Sequence, residues 1–256
     1  MKKKRKKYII GNLKMNPSSK KEMEKLFSGS QKLVAKHSSV VSVSALPFIY
    51  LDKGVSLSKS LKVSAQDVSA FKNGAYTGEV SAGQLKDIKV SYCIVGHSER
   101  REAGESDRDV ALKIQLLLKA GIIPIVCIGE KERDLQGLYI KNIRLQIRQS
   151  LEGVPKSKLK TIIYAYEPLW AIGKDAERPA TTEEAGEMIR VIRRELADIA
   201  GVPTGKNAVM LYGGSVKRTT AKELLMEDGI DGFLIGGASL DAQHFADISH
   251  IAHTLK

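Results

Sequence analysis

Five side chains able to take, give or steady a proton stand just after short apolar runs in this 256-residue chain. Asn12 and Lys14 follow Tyr8-Ile9-Ile10-Gly11, His97 and Glu99 follow Tyr92-Cys93-Ile94-Val95-Gly96, and Glu167 follows the run from Thr161 to Tyr166. A carboxylate removes a proton from carbon when apolar neighbours strip its water. Tyr166, Pro168, Leu169, Trp170 and Ile172 supply such neighbours around Glu167. An imidazole, an amide and an ammonium can then steady the negative charge left on oxygen. Singly these signals are weak. His97 alone would as readily be a structural hydrogen-bonding residue, and a glutamate before Pro168 would as readily cap a loop or hold an ion pair. His97-Ser98-Glu99 has triad-like residue types, but sequence neighbours cannot form that relay, and no G-x-S-x-G elbow is present.

Two glycine clusters carry more. Tyr212-Gly213-Gly214-Ser215 and Ile235-Gly236-Gly237-Ala238-Ser239 each follow an apolar run near the C-terminus. Glycine lets backbone N–H groups approach an anion closely, and Ser215 adds a hydroxyl donor. Tight turns are the competing explanation for either pair alone. Two pairs in the last two loops of a barrel favour phosphate. No P-loop or G-x-G-x-x-G pattern occurs, which argues against phosphoryl transfer and dinucleotides.

These residues need a scaffold that brings them together. Runs rich in β-branched residues near Tyr8–Gly11, Val40–Ala45, Leu61–Ala65, Ser91–Val95, Ile123–Ile128, Thr161–Tyr166, Ala208–Tyr212 and Gly232–Ile235 read as strands. Helical periodicity fills the intervals, as in Ala185, Met188, Ile189, Ile192, Leu196 and Ile199. Ser19-x-x-Glu22, Ser81-x-x-Gln84, Thr181-x-x-Glu184 and Thr220-x-x-Glu223 are expected to start helices as capping boxes, and Gly121 and Gly201 to end them. Strand–helix alternation implies parallel strands. Eight such units predict an α/β fold, a closed (β/α)8 barrel of eight parallel strands surrounded by helices, in one domain over residues 8–256. Gln66 and every residue singled out above would then lie at the C-terminal strand ends, on one face.

Charge and cysteine content narrow the class. Of the formal charge of +12, six units come from Lys2–Lys7 (KKKRKK), leaving 12 − 6 = +6 for the rest. The basic run is expected to be a disordered, solvated tail over residues 1–7. Nucleic-acid binding is not favoured, since no aromatic residues interleave the charges. Cys93 and Cys127 lie in apolar runs without a C-x-x-C pair, as reduced buried thiols of a cytoplasmic protein do. No apolar run approaches a membrane span and no signal-peptide pattern opens the chain. His250 and His253, with His244 upstream, lack a ligand constellation and read as a solvated helix face, so no metal is expected.

The motifs Gly11-Asn12-Leu13-Lys14-Met15-Asn16, Ile94-Val95-Gly96-His97-Ser98-Glu99-Arg100-Arg101, Tyr166-Glu167-Pro168-Leu169-Trp170-Ala171-Ile172-Gly173, Tyr212-Gly213-Gly214-Ser215-Val216 and Ile235-Gly236-Gly237-Ala238-Ser239-Leu240, in that order, closely resemble the triosephosphate isomerase family. Ala75-Tyr76-Thr77-Gly78-Glu79 resembles that family's interface loop. The resemblance implies a TIM barrel and a small phosphorylated triose as substrate. It also implies interconversion of dihydroxyacetone phosphate and glyceraldehyde 3-phosphate through an enediolate, as in glycolysis and gluconeogenesis. No cofactor or metal is implied. Glu167 would be the base, His97 a neutral electrophile, Lys14 and Asn12 electrostatic stabilisers, and Glu99 an acid near Lys14. Gly173, Ser215, Gly236 and Gly237 would grip the phosphate under a lid over residues 168–178, and the protein would be a homodimer.

Three departures stand out. Leu13 replaces the usual tryptophan, Lys174-Asp175-Ala176-Glu177-Arg178-Pro179 replaces the usual lid hinge, and Glu102-Ala103-Gly104-Glu105-Ser106 is short and lacks an aromatic residue near the expected subunit contact. The rival readings are another phosphosugar barrel enzyme and a barrel scaffold carrying a nucleic-acid-binding tail.

Overall fold

A computed structural model of the chain describes residues 5–172 and 178–255. Eight strands close into one barrel in sequence order, every neighbouring pair parallel, with β8 returning to β1. They are β1 (Lys7–Asn12), β2 (Val40–Leu46), β3 (Leu61–Ala65), β4 (Tyr92–Val95), β5 (Ile123–Ile128), β6 (Ile163–Tyr166), β7 (Val209–Tyr212) and β8 (Gly232–Ile235). Helices α1 (Lys20–Val34), α2 (Leu51–Leu57), α3 (Ala82–Asp87), α4 (Ser98–Glu102) and α5 (Asp107–Ala120) cover the first half. The second half carries α6 (Leu138–Ser150), α7 (Thr182–Ala200), α8 (Val202–Asn207), α9 (Arg218–Met226) and α10 (Ala242–Thr254).

The expected strands differ from these mainly at their starts. Thr161 ends a 3-10 turn (Lys156–Thr161) and donates its hydroxyl to the Lys158 carbonyl at 2.7 Å, so β6 begins at Ile163 instead. Ser81 and Thr181 make reciprocal capping boxes, whereas Ser19 only accepts from the Glu22 amide. The box expected at Thr220 is not a helix start. Thr220 is the third residue of α9, three after the N-cap Lys217, whose N–H its hydroxyl accepts at 3.2 Å. Ser106 and Asp109 form a box at α5 that the sequence reading passed over.

Side-chain alternation along the strands makes two cores. Ile10, Val43, Ala45, Ile94, Ile125, Cys127, Ile163, Ala165, Leu211 and Leu234 fill the barrel interior. The opposite strand faces join the helices in a larger shell that includes Leu13, Phe27, Cys93, Tyr166, Tyr212 and Phe233. Both cysteines are free and buried, and burial pushes both thiols well above their ordinary range. A packed interior leaves the strand ends as the places where polar groups gather.

The basic tail ends earlier than expected. Lys7 is the first residue of β1 and its ammonium donates to the Ile230 carbonyl at 2.7 Å. Arg5 pairs with Asp231 at 3.4 Å and donates to the Lys206 carbonyl, so this part of the run adheres to the N-terminal end of the barrel. Among the described residues no helix is long and apolar enough to cross a membrane.

Candidate active site

The C-terminal strand ends surround a cavity of about 930 Å³. Asn12, Lys14, His97, Glu99, Glu167, Ser215, Gly236 and Gly237 all line it, so loops far apart in sequence converge as the barrel requires. Gly173, and with it Lys174 to Glu177, lies outside the described residues.

Lys14 leaves β1 in the left-handed region, at φ 53, which a non-glycine residue adopts only when its surroundings hold it there. The hold comes from both sides. Asn12 Oδ1 accepts the Lys14 N–H at 3.0 Å, and Gln66 Nε2 donates to the carbonyls of Lys14 and Ala45, each at 2.9 Å. The side chain then reaches Glu99, with Nζ 2.6 Å from Oε1. Both partners of that pair are half-exposed, so it orients Lys14 more than it stabilises the fold. Leu13, the first departure, is buried in the outer core beneath this turn.

His97 occupies the N-cap of α4. Its Nδ1 accepts the Glu99 N–H at 3.2 Å, which leaves Nε2 as the nitrogen that faces the cavity. Nε2 lies 3.3 Å from Glu167 Oε1. The other carboxylate oxygen of Glu167 accepts the Ser98 N–H at 3.1 Å, and the residue is 2% exposed. A carboxylate so short of water is of the kind that can take a proton from a bound molecule. Two glycines make room for it. A side chain at Gly129 would collide with the Glu167 carbonyl, and one at Gly213 would come within 2.9 Å of its Cγ. Cys127 lies beneath; burial first and the Glu167 charge second hold its thiol protonated.

The far wall suits an anion. A side chain at Gly237 would meet nothing within 4 Å and one at Gly236 would meet only Lys14 Cε at 3.6 Å, so both backbones face open cavity. Gly237–Leu240 is a short 3-10 helix fixed by Ser239, whose hydroxyl donates to the Gly236 carbonyl at 2.6 Å. A short helix after strand eight is the usual phosphate cradle of such barrels.

Several contributors were not legible as site residues. The Ser98 donor is a backbone amide and leaves no residue-type signal. Glu130, 5% exposed, accepts from the Tyr166 hydroxyl at 2.7 Å, the Trp170 indole at 2.9 Å and Arg133 at 3.2 Å, fixing the segment after Glu167. Lys217, Thr220, Arg178 and His244 also line the cavity. His244 therefore separates from His250 and His253, which sit instead with His37 at the opposite end of the barrel. Among the described residues no group of three or more His, Cys, Asp or Glu could hold a metal ion.

Comparison with known proteins agrees with this geometry. A family model described as triosephosphate isomerase matches residues 7–252. Curated proteins named triosephosphate isomerase are similar along nearly their whole length. The one from Mycoplasma capricolum is 40% identical over 243 residues, covering 94% of this chain and 96% of its own. That from Fusobacterium nucleatum is 41% identical over 244 residues, covering 94% and 96%. That from Thermus thermophilus is 40% identical over 247 residues, covering 95% and 98%.

Proposed function

The chain belongs to the triosephosphate isomerase family, and on that premise we propose that Glu167 is the base that interconverts dihydroxyacetone phosphate and glyceraldehyde 3-phosphate here. The observation that carries the assignment is the placement of a buried carboxylate 3.3 Å from an imidazole, across a cavity from two open glycine backbones. Glu167 releases the Ser98 amide and takes a proton from the carbon beside the carbonyl. The electron pair moves onto the carbonyl oxygen, where His97 Nε2–H, the Lys14 ammonium and the Asn12 amide stabilise the enediolate. The hydroxyl proton of the first carbon passes to the enediolate oxygen beside His97 Nε2, the oxygen it leaves becomes the new carbonyl, and protonated Glu167 returns its proton to the adjacent carbon. A neutral histidine electrophile beside a glutamate base is the pairing for which this family is itself the standard illustration.

Ser215, Gly236 and Gly237, together with Gly173, hold the phosphate in this reading, and Glu99 orients Lys14. The step needs no cofactor or metal ion. The barrel, β1 with Lys7 included, acts as one catalytic domain in the cytoplasm. The enzyme is a homodimer through the loop at Ala75–Glu79. Supporting this, Met15 is 95% exposed and Ile49 81%, and half-exposed Phe71 and Tyr76 stack at 4.4 Å, all on loops after adjacent strands β1, β2 and β3. The short stretch Glu102–Ser106 braces that side, because Glu105 and Asp67 share the Lys113 ammonium.

A coupled assay with glyceraldehyde 3-phosphate in the presence of a chelator tests the activity, with turnover expected and its absence overturning the reading. Light scattering on the same preparation should give twice the monomer mass; a monomer that turns over substrate would leave the chemistry standing and remove the dimer.

A further inference from the structure

The distal end of the lid segment holds an arginine that the catalytic scheme leaves unused. Arg178 makes a two-pronged pair with Glu184, at 2.8 and 2.7 Å. Glu184 in turn closes the capping box of α7 by accepting the Thr181 N–H at 2.8 Å. The same guanidinium lies over the Trp170 ring, 4.9 Å from its centroid. Trp170 belongs to the proximal end of the segment, in the 3-10 turn Leu169–Ala171 directly after Glu167-Pro168. Its indole N–H is taken by Glu130, and the Arg133 guanidinium lies 5.2 Å from its centroid. One ring therefore joins the two ends of the segment, with its edge pinned to Glu130 in the loop after β5 and one stacked cation pinned to α7.

We propose that Arg178 is a positioning residue for isomerisation, acting through Trp170 to fix the turn that follows Glu167. The inference rests on Glu167 being the base. Arginine suits the task because its planar fork can engage a carboxylate at two points while its face stacks on an indole, which lysine cannot do. Two anchors, Glu184 on α7 and Trp170 on the turn, set the span between the segment's ends. Arg178 also lines the cavity, so its loss would be felt at the mouth as well as at the turn.

Trp170 is the sole tryptophan of the chain, which gives the contact its own spectroscopic signal. The test compares wild type with R178A and R178K in Trp170 emission, kcat and thermal melting. Both variants should shift the emission and lower kcat by roughly threefold to tenfold. Melting should move by less than about 3 °C, since the ion pair is half-exposed. E184Q, which keeps an acceptor for the Thr181 amide but loses the charge, should change emission and kcat in the same direction by less. Unchanged emission, unchanged kcat, full rescue by lysine, or a kcat loss that merely tracks a large drop in melting temperature would each overturn the proposal. Failure of the Glu167 assignment would look different: Glu167→Gln would then keep turnover while R178A still shifted the emission.

Discussion

Asp231 and Glu167 are both buried carboxylates at strand ends, but the two ends of the barrel surround them differently. At the N-terminal end, Asp231 accepts from Arg193 at 3.0 Å, from the Met210 amide at 3.0 Å and from Arg5 at 3.4 Å. Arg193 spends its remaining donors on the carbonyls of Gly205, Ala208 and Gly229. At the C-terminal end, Glu167 has one amide, one imidazole edge and the Cys127 thiol but no cation, Lys14 sits in a strained backbone region, and Tyr212 Oη and His244 Nε2 are buried without a hydrogen-bond partner among the described residues. A charge enclosed by full partners resists change. One with few partners can exchange them for a substrate. The difference separates stability from chemistry within one fold.

The sharpest way to break the comparison is Glu167→Gln. Removing the base should lower kcat by about 10² to 10⁴-fold, while binding of inorganic phosphate as a competitive inhibitor survives. The unfolding midpoint should hold or rise, because an under-partnered buried charge has gone. A large stability loss would mean that Glu167 is structural like Asp231. Asp231→Ala is the reciprocal change. It leaves the largely enclosed Arg193 and the buried Met210 amide without their carboxylate and should cost about 3 kcal/mol in denaturant unfolding, with kcat of the folded enzyme nearly unchanged. Loss of turnover without loss of stability would show that the two ends are not separable.

Much of the catalytic end was legible because barrel strands are short apolar runs and the residues just beyond them must share one mouth. That reasoning places Asn12, Lys14, His97 and Glu167 at the cavity they line, and Gly236 and Gly237 join them through the need for close backbone approach. The Ser98 amide could not be found, since any residue type would supply it. Glu130 lies in a charged run, Gly129-Glu130-Lys131-Glu132-Arg133, where nothing marks one carboxylate as the buried one. Thr220-x-x-Glu223 misled because threonine followed by glutamate can also occur from the third residue of a helix, where the hydroxyl serves an earlier amide. Arg178 was visible only as a departure from the family pattern; its partner Trp170 lies eight positions back in the chain, across a loop whose path periodicity does not reveal.

The N-terminal end holds one group that tests whether satisfaction there depends on pH. His37, between α1 and β2, donates to or accepts from Ser249 at 2.9 Å, while His250 and His253 on α10 approach it with ring centroids at 5.4 and 5.6 Å. Ser39 bonds His253 Nδ1 at 2.6 Å, and Lys36 stands exposed beside His37 in the chain. Burial first, then the charges of His250 and His253, lower the His37 pKa below the ordinary 6.5. Above 6.5 the ring is neutral both folded and unfolded, so its full contribution is present there. As pH falls through 6.5 the unfolded chain takes up the proton first, and stability is lost until the folded-state pKa has also been passed. The melting temperature of wild type should therefore fall further between about pH 7.5 and about pH 5.5 than that of His37→Gln. The effect is the smallest expected here because His37 is only partly buried and solvent screens the imidazole charges. Parallel melting curves for the two proteins would place the pH sensitivity elsewhere. Since this seam lies at the end of the barrel opposite the cavity, kcat of the folded enzyme should show no difference between the two over the same range.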